Sequence, residues 1–470
     1  MPDSRTGSST EHAPVRATVS LALIFASRML GLFMIYPVFA VYARDLPGST
    51  PTLIGLALGI YGLAQAVLQI PLGWLSDRVG RRPVIAGGLV VFALGSVVAA
   101  LSGSIYGIIA GRLLQGTGAI GSVILALTAD LTRDQHRTRA MAVIGMSIGL
   151  SFAVAVVVGP MLEARVGVPG IFWLTALLGL AGIAVLYLSV PRPSEQHLHR
   201  DTEAVPALIW RVLSDGQLLR LDLGILIQHA ILTATFLGLP VMLRDAVQLD
   251  SGDQWLLYLP VLVVSLALMV PLMFYSERHG HLKGVFLGSV GAIAVSQALL
   301  VPEHTGLMTL MPVMILFFAA FNLLEAMLPS LVSRVAPAGM KGTALGVYSS
   351  SQFLGIFLGG VLGGWLQQAF GLPGLHAFAA GLAVLWWLAA LGLHNPAHLA
   401  NRTVALDALA EFEPAEICAR LLRVPGVRDV AVAPEDATAL IKVMTRELDE
   451  EVLAAVLRGA EPSGDGATVS

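Results

Sequence analysis

The sequence predicts an all-α polytopic membrane protein of twelve transmembrane helices, followed by a small α+β domain. Three observations support this prediction. Hydrophobic residues make up 56% of the 470 residues and charged residues only 13%, whereas soluble domains carry roughly 25% charged residues. Twelve apolar runs each approach or exceed the roughly 20 residues that a spanning helix needs. The charges collect in short segments between these runs, as expected where bilayer hydrocarbon excludes ionised groups.

The predicted helices form two sets of six, separated by a polar linker. They cover residues 17–43, 52–74, 83–102, 105–129, 139–162, 169–190, 221–243, 254–276, 282–301, 307–332, 342–369 and 371–393. We therefore expect an N-terminal half over 1–190, a linker over 191–220 and a C-terminal half over 221–400. Within the linker, 206–214 has the pattern of a short amphipathic helix on the membrane surface.

The distribution of basic residues predicts the orientation. With the N-terminus inside, Arg44, Arg165 and Arg244 fall in outer loops. The basic residues of the inner loops are Arg78, Arg81, Arg82, Arg133, Arg137, Arg139, Arg192, Arg200, Arg211, Arg220, Arg278, Lys283, Arg334 and Lys341. Because cytoplasmic loops carry an excess of Lys and Arg, both termini and the linker are predicted to be cytoplasmic. These basic residues form no continuous face, so a nucleic-acid partner is not expected.

An internal repeat supports two related halves. The sequence PLGWLSDRVG at 71–80 returns as PLMFYSERHG at 271–280. The Pro-Leu pair, the Ser-acid-Arg triplet and the final glycine keep register over an offset of 200 residues. Both copies follow the second helix of a six-helix half.

The chain changes character after the twelfth predicted span. Residues 401–460 are charged and contain no spanning run. A strand at 403–407, a helix at 413–423, strands at 428–433 and 439–444, and a helix at 447–458 are expected. This β-α-β-β-α order predicts a ferredoxin-like cytosolic domain, and 461–470 is predicted to be a disordered tail. The lone Cys418 permits no Cys-x-x-Cys pair, so neither a metal nor a cofactor is expected.

The loop between spans two and three, GWLSDRVGRR, resembles the signature loop of the major facilitator superfamily of transporters. Gly73 permits the close approach of a neighbouring helix. Asp77 is suited to the positive N-terminus of a helix, and Arg81 and Arg82 are expected to pair with it or with Asp130. Such a network would latch one conformation as the two halves move. The competing interpretation is that the arginines merely anchor the loop in the cytoplasm.

Two further elements resemble motifs of the superfamily. GRLLQGTGA at 111–119 resembles its R-x-x-Q-G-x-G-A element, and a buried Arg112 would help a nearby acid release its proton; the alternative is an arginine that snorkels to the surface. Span five contains Gly149 and ends in Gly159-Pro160, similar to an antiporter element, but Glu163 and the following alanine replace its final glycines. The alternative for these residues is helix packing around a proline kink.

Ionisable residues inside predicted spans are the candidates for proton coupling, since such groups usually face a cavity or a partner. Glu325 is the first candidate for a titrating carboxyl, with Asn322 one turn away as a potential hydrogen-bond partner. A static bond between helices is the competing role for Glu325. Arg28 lies in the middle of span one and joins Arg112 in the proton-coupling set. His229 in span seven is more typical of a helix contact than of a proton carrier.

A mixed polar and apolar set is expected to line a substrate cavity. Its members are Gln65, Gln69, Met34, Tyr36, His229, Phe236, Asn322 and Gln352. The glutamines are polar groups inside apolar helices that either line the cavity or bridge helices. The methionine and the aromatic residues suit an adaptable apolar wall, although such residues also pack without any contact with substrate.

Four segments carry a closer resemblance within the superfamily. SRMLGLFM (27–34), IYGLAQAV (60–67), FNLLEAMLPSL (321–331) and GTALGVYS (342–349) are similar to bacterial inner-membrane members that also carry a small domain after span twelve. The resemblance covers essentially the whole chain. It implies proton-driven efflux at the bacterial inner membrane, with Gly73, Asp77, Arg81 and Asp130 as the latch.

The leading functional hypothesis is a proton-coupled exporter of amphipathic small molecules that works by alternating access between the halves. One alternative is an uptake symporter for a sugar or metabolite, which would need more polar groups in the cavity. Another is a membrane sensor that signals through its C-terminal domain to a cytosolic ligand or partner; deletion of 401–470 would separate sensing from transport. The sequence contains no nucleophile constellation and no nucleotide-binding glycine loop, so enzyme chemistry is not expected.

Overall fold

The computed structural model is mainly helical. It describes residues 9–132, 134–191, 208–302, 306–337, 339–394, 399–406, 409, 412–433, 437–444 and 447–459. The helices of the membrane region are α1 (Ser9–Phe33), α2 (Tyr36–Tyr42), α3 (Pro51–Val79), α4 (Arg81–Leu101), α5 (Ile105–Thr117), α6 (Gly121–Asp130), α7 (Asp134–Ser189), α8 (Ile209–Leu213), α9 (Gly216–Asp245), α10 (Trp255–Arg278), α11 (Leu282–Leu299), α12 (Leu307–Val335) and α13 (Lys341–Leu391). The predicted tail at 461–470 lies outside the described residues.

Ten helical stretches in the described part of the chain are long and apolar enough to cross a membrane. Eight contain 18 to 30 residues, but Arg139–Ser189 and Lys341–Leu391 contain 51 each. At about 1.5 Å per residue a continuous 51-residue helix would measure about 77 Å, more than twice the ~30 Å hydrocarbon core. Gly167 and Gly371 break these two stretches with φ angles of +67° and +69°. Each long stretch is therefore two helices joined at a glycine.

The first membrane helix is interrupted near its middle. α1 ends at Phe33, and α2 begins at Tyr36 with Pro37 in its first turn. Because proline cannot donate a backbone hydrogen bond, it is favoured at the start of a helix rather than inside one. α5 and α6 form the fourth span with a similar interruption around Gly118. Interrupted helices place residues such as Tyr36 at the centre of the bundle.

α9 is the most enclosed of the apolar helices, whereas α10 is peripheral. In α9, 94% of the most apolar window is buried, against 28% for the stretch that contains α10. α9 packs along α13, and α3 packs against the other side of α13. Large apolar side chains such as Val263, Leu268 and Phe274 of α10 remain exposed in the isolated chain. Such a belt is expected where the protein faces lipid rather than water.

The C-terminal region forms a three-stranded antiparallel sheet. Its elements are β1 (Leu399–Ala405), α14 (Pro414–Leu422), β2 (Val427–Ala433), β3 (Thr438–Met444) and α15 (Glu450–Leu457). β3 lies between β1 and β2, antiparallel to both, as in a split β-α-β unit. Leu421, Ile441, Val443 and Val456 lie in a core separate from that of the membrane helices. The predicted β-α-β-β-α order is confirmed, and the sheet fits a ferredoxin-like domain.

The sheet contacts the end of α12 through Lys442 of β3. The Nζ atom donates to the carbonyl oxygens of Val335 and, at 3.3 Å, Ala336, where α12 ends. A helix end leaves its last carbonyl groups without partners in the helix, and a lysine can satisfy them. Burial lowers the pKa of Lys442 below its ordinary value, an effect that Asp429 and Asp215 oppose.

The predicted surface helix of the linker is short. Within the described residues it comprises the five residues of α8, with Val212 buried and Trp210 79% exposed. Residues 206 and 207, which the prediction included, lie outside the described residues. The exposed indole is an amphipathic side chain of the kind that lies at membrane interfaces.

Candidate functional site

Arg81 joins the turn between α3 and α4 to the end of α6. Gly80 forms this turn with φ +104°, a backbone conformation that favours glycine. The Arg81 Nη1 atom donates to Ser76 Oγ at 2.8 Å and pairs with Asp77, while its Nε atom lies 3.2 Å from Asp130 Oδ2. Arg81 is 3% exposed and the Asp130 side chain 0%. Three predicted latch residues thus form one network, in which Arg81 and Asp130 are buried.

The other two predicted latch residues lie beside this network. A Cβ atom on Gly73 would stand 3.2 Å from Ser122 Oγ, so α3 and α6 approach closely there. Arg82 instead contacts the end of α7: its Nη2 atom donates to the carbonyl oxygen of Leu186 at 3.2 Å, and its guanidinium lies 5.0 Å from the Tyr187 ring centroid. The sequence left the partner of each arginine open; in the structure, Arg81 pairs with the carboxylates of Asp77 and Asp130.

The second copy of the repeat has the same local geometry. Gly280, like Gly80, has a positive φ, here +70°. Ser276 Oγ donates to the carbonyl oxygen of Met273 at 2.7 Å, the counterpart of the bond from Ser76 to Gly73. Glu277 and Arg334 of α12 form an ion pair at 3.6 Å. That pair is partly exposed, so the second copy is the weaker of the two junctions.

Glu325 of α12 is bound by side chains from two other helices. Gln228 of α9 donates to its Oε2 at 3.0 Å, and Gln352 of α13 donates to its Oε1 at 3.3 Å. His229 Nε2 lies 3.8 Å from Glu325 Oε2 and 2.8 Å from Gln352 Nε2. The Glu325 side chain is 30% exposed, so this polar cluster borders open space. The amide donors can stabilise an ionised carboxylate, and the open space beside it allows a proton to reach the carboxylate.

Sequence reasoning predicted three of these four residues and missed Gln228. Gln228 is a polar residue inside an apolar run and directly precedes His229, so the criterion that identified His229 also applies to it. Asn322 does not form the expected bond to Glu325: its Nδ2 atom has no hydrogen-bond partner among the described residues, since the glutamines occupy the carboxylate. Asp222 of α9 was also missed. Its carboxyl is 4% exposed, and within the described ranges neither oxygen accepts a hydrogen bond.

In the N-terminal half, Arg112 is buried among backbone acceptors. It is 1% exposed. Its guanidinium donates to Gln115 Oε1 at 3.0 Å and to the carbonyl oxygens of Ala57 and Leu58 of α3, at 3.3 and 3.4 Å. Gln65 Nε2 donates across to the carbonyl oxygen of Gly116 at 2.7 Å. Arg112 therefore does not snorkel to the surface, and Gln65 bridges helices.

Of the remaining predicted polar and glycine residues, Gln69 and Gly159 lie in packed contacts and Gly149 does not. Gln69 is 4% exposed, and its backbone carbonyl oxygen accepts from Ser122 Oγ at 2.7 Å. Gly159, next to Pro160 in α7, lies against the backbone of Met34, where a Cβ atom would overlap the Met34 carbonyl oxygen. Gly149 faces open space, with nothing within 4 Å of a Cβ atom built there. α7 thus packs closely on the break between α1 and α2 at Gly159, whereas Gly149 lies on an exposed part of α7.

Aromatic side chains from both halves meet at the centre of the bundle. The Tyr36 ring lies 5.5 Å from Phe236, and Phe152 of α7 lies 6.2 Å from Phe236, 6.3 Å from Phe318 and 6.0 Å from Phe321. We call these five residues the aromatic layer. Phe321 also lies 5.8 Å from His229, so the layer borders the polar cluster around Glu325. An apolar wall with a few polar groups is typical of small-molecule sites.

Polar contacts close one end of the molecule. Arg44 Nη1 lies 2.6 Å from Asp245 Oδ2, and Thr52 Oγ1 donates to Gln368 Oε1 at 2.6 Å; both pairs join the two halves. A cavity of about 330 Å³ lies beside Arg44. We call this the Arg44 end, and the opposite end, with Arg81 and Asp130, the Arg81 end. The Arg44–Asp245 and Thr52–Gln368 pairs thus tie the halves together at the Arg44 end.

Comparison with known proteins identifies the family. The family model described as Major Facilitator Superfamily matches residues 21–359 and 221–428. The chain belongs to the major facilitator superfamily. It is 44% identical over 429 residues to the inner membrane transport protein YajR of Escherichia coli (strain K12), which covers 91% of this chain and 94% of that protein. It is 27% identical over 377 residues to the multidrug resistance protein MdtH of Aeromonas hydrophila, with 78% and 90% covered.

A solved structure supports the fold of this superfamily member. The chain resembles a bacterial homologue of the human lysosomal transporter Spinster, in an inward-facing and unoccupied conformation, with a TM-score of 0.62 and 14% identity. The match covers 81% of this chain and 97% of that one. The superfamily consists of transporters and not of enzymes. This superfamily member is accordingly a multi-pass inner-membrane transporter of small molecules.

Proposed function

We propose that this transporter exports amphipathic small molecules in exchange for protons, by alternating access of its two six-helix halves to the two sides of the membrane. The observation that carries this proposal is the environment of Glu325. A carboxyl group held between two amide donors at the edge of open space can bind and release a proton. The same glutamines join α12 to α9 and α13, so a change of charge at Glu325 acts on three helices at once.

In this proposal the chain crosses the membrane twelve times and both termini lie in the cytoplasm. Each 51-residue stretch crosses twice, with its turn at Gly167 or Gly371. The excess of basic residues puts the Arg81 end in the cytoplasm. In this proposal the pairs at the Arg44 end seal the outer side of the membrane and belong to the inward-facing state of the transport cycle. The network of Arg81, Asp77 and Asp130 acts as a latch of the N-terminal half.

The aromatic layer favours amphipathic molecules as substrates. Ring faces and edges bind apolar groups without demanding one shape, and the Glu325 cluster supplies polar contacts beside them. The 27% identical multidrug resistance protein supports export rather than uptake. The C-terminal domain, docked on α12 through Lys442, is an accessory to transport rather than a separate sensor.

Proton flux in proteoliposomes tests the proposal. A pH gradient is imposed, a pH-sensitive dye reports the lumen, and a panel of cationic, neutral and anionic amphipathic compounds is added in turn. With the parent protein, we expect protons to move in the direction opposite to the compound, and only when a transported compound is present. Glu325→Gln should lose this proton movement. Glu163→Gln, which changes a half-buried glutamate of α7, is the matched control and retains exchange. Retention of exchange by Glu325→Gln, or movement of proton and compound in the same direction, would refute antiport through Glu325.

A further inference from the structure

Arg28 is a buried cation that has no carboxylate or carbonyl oxygen within hydrogen-bond distance among the described residues; the polar side chain beside it is the Tyr61 phenol. It lies in α1, is 1% exposed, and none of its three guanidinium nitrogens has a hydrogen-bond acceptor in the part of the chain that the structure describes. Its nearest ring neighbours are Tyr61 and Phe92, at 5.8 and 5.7 Å from the ring centroids. A guanidinium in such a place normally has an anion or several carbonyl groups beside it.

Arg112 is an internal comparison for Arg28. Both arginines are 1% exposed, and both lie over the Tyr61 ring, Arg112 at 5.0 Å from its centroid. Arg112 has three acceptors, from Gln115 and the backbone of α3. The bundle therefore surrounds Arg112 with carbonyl and amide oxygens, whereas Arg28 has only a neutral phenol as its polar neighbour in the described part of the chain.

The polar groups beside Arg28 are neutral phenols rather than anions. The hydroxyl groups of Tyr61 and Tyr36 are buried, and each can donate a hydrogen bond to an anionic group. Asp45, Asp77, Asp130 and Glu163, the acidic residues of the N-terminal half whose side chains the structure describes, lie near the ends of their spans. In the C-terminal half, Glu325 is occupied by its two glutamines. A site with two guanidinium groups and two phenols, but no carboxylate of its own, attracts a negative group.

We propose that Arg28 and Tyr61 bind the anionic group, a carboxylate or sulfonate, of an amphipathic molecule whose apolar part lies on the aromatic layer. Arginine suits this role because its planar fork donates two parallel hydrogen bonds to such a group. Tyr36 belongs both to the donor cluster and to the aromatic layer, which places the two parts of the ligand side by side. The site is closed in this conformation and opens at the contact between Tyr61 and Phe353, which joins the two halves.

This inference rests on the proposed transport function only for the movement of the ligand, because binding is measurable without transport. The two central arginines would repel a cationic head group placed at Tyr61. The chain is therefore expected to prefer organic anions over cations of the same shape. This preference holds for either direction of transport.

The test is equilibrium dialysis of the purified full-length protein in detergent against radiolabelled 2-naphthoate. The neutral 2-naphthamide and the cationic 2-naphthylmethylammonium, which have the same ring, are measured in parallel. We expect saturable binding of 2-naphthoate, at least tenfold tighter than of either analogue. Arg28→Gln should weaken 2-naphthoate binding at least tenfold and leave 2-naphthamide unchanged. Arg16→Gln, an exposed arginine of the same helix, is the control that retains full binding.

Two milder variants keep the test decisive if Arg28→Gln does not fold. Tyr61→Phe removes one donor and should weaken 2-naphthoate binding several-fold, whereas Arg28→Lys should retain part of the preference. Three results would overturn the anion site. The first is equal binding of 2-naphthoate by the parent and the Arg28 variants, and the second is a preference for the cation. The third is that neither 2-naphthoate nor 2-naphthalenesulfonate binds saturably. If the parent protein does not prefer 2-naphthoate over its analogues but still carries out pH-driven exchange, the anion site is wrong and the proposed function stands. If the parent prefers 2-naphthoate but shows no proton coupling, the anion site stands and the proposed function is wrong.

Discussion

The backbone carbonyl oxygen of Gly360 occupies the place where a Cβ atom on Gly55 would stand, so α3 and α13 touch backbone to backbone. Gly59 and Gly62 make similar contacts further along α3. These contacts join the two halves from the Arg44 end towards the centre. In the alternating-access scheme they must part whenever that end opens.

A larger residue at Gly55 is expected to hold the Arg44 end open. Overpacking of a tight contact costs about 1–3 kcal/mol. Because the clash exists only in the closed state, Gly55→Val should shift the conformational equilibrium towards the open state by roughly 5- to 150-fold. Spin labels at Asp45→Cys and Asp250→Cys, in a Cys418→Ser background, report the separation of the halves at this end. The distance distribution should move to longer values.

The control for this experiment is Gly381→Val. Gly381 also lies in α13, but nothing stands within 4 Å of a Cβ atom built there. This variant should reproduce the parent distribution. An unchanged distance distribution in Gly55→Val would show that α3 and α13 accommodate the larger side chain without separation of the halves. The assignment of this contact as a gate would then be wrong.

The ion pair of Arg81 and Asp130 is expected to contribute strongly to stability. Removing one partner of a buried pair leaves an uncompensated charge and typically costs ~3–5 kcal/mol. Asp130→Asn should therefore lower the thermal midpoint and impair transport. Asp245→Asn breaks the exposed pair with Arg44, for which ~0.2–1 kcal/mol is usual, and should change the thermal midpoint little.

A double-mutant cycle separates the pair from its surroundings. Arg81→Gln combined with Asp130→Asn should cost clearly less than the sum of the two single changes, since the double variant leaves neither member of the buried pair unpaired; the loss of the Arg81 contact with the partly exposed Asp77 is common to Arg81→Gln and the double variant. Thermal unfolding in detergent, followed by the fluorescence of native tryptophans, gives the required values. Additive costs would mean that Arg81 and Asp130 do not act as a unit.

The sequence predicted the elements of this fold better than their contacts. Uncharged runs mark membrane helices because lipid excludes ionised groups, and ten helical stretches of the described chain are long and apolar enough to cross a membrane. The prediction placed Gly167 between two spans and made Gly371 the first residue of the span 371–393, whereas the structure continues helical geometry on both sides of each glycine. Motif residues close in sequence, such as Asp77 and Arg81, are neighbours for local reasons, so their pairing was predictable.

The contacts between helices distant in sequence could not be read from the sequence. The partners of Glu325 come from α9 and α13, which lie about 97 and 27 residues away along the chain. Whether Arg28 has acceptors depends on the rotation of α1 relative to α3, which a run of apolar residues leaves open. Arg112 shows the same limit: its sequence environment allowed both burial and snorkelling, and only the packing of α3 decides between them.

Lys442 is expected to hold the C-terminal domain against α12. A hydrogen bond to a charged donor contributes about 1.5–3 kcal/mol, partly offset here by the burial that lowers the pKa of Lys442. Lys442→Ala should therefore speed backbone hydrogen exchange at the end of α12 and in β3 by roughly 10- to 100-fold. Arg402→Ala, which breaks an exposed pair with Glu450 in the same domain, is the control. Equal exchange in both variants would show that the domain docks without the lysine.

Cysteine labelling tests the twelve-crossing topology and its orientation together. Val166 and Phe370 are 56% and 63% exposed and directly precede the glycine breaks at Gly167 and Gly371. In a Cys418→Ser background, Val166→Cys and Phe370→Cys should react with a membrane-impermeant maleimide added to intact cells. Arg278→Cys, at the end of α10, should react only after the membrane is permeabilised. Because an ionised loop cannot rest in hydrocarbon, each long stretch must turn in water on the outer side if it crosses twice. Protection of both break positions in intact cells, with free labelling of Arg278→Cys, would require the inverted orientation. Protection of one break alone would require an odd number of crossings in that half.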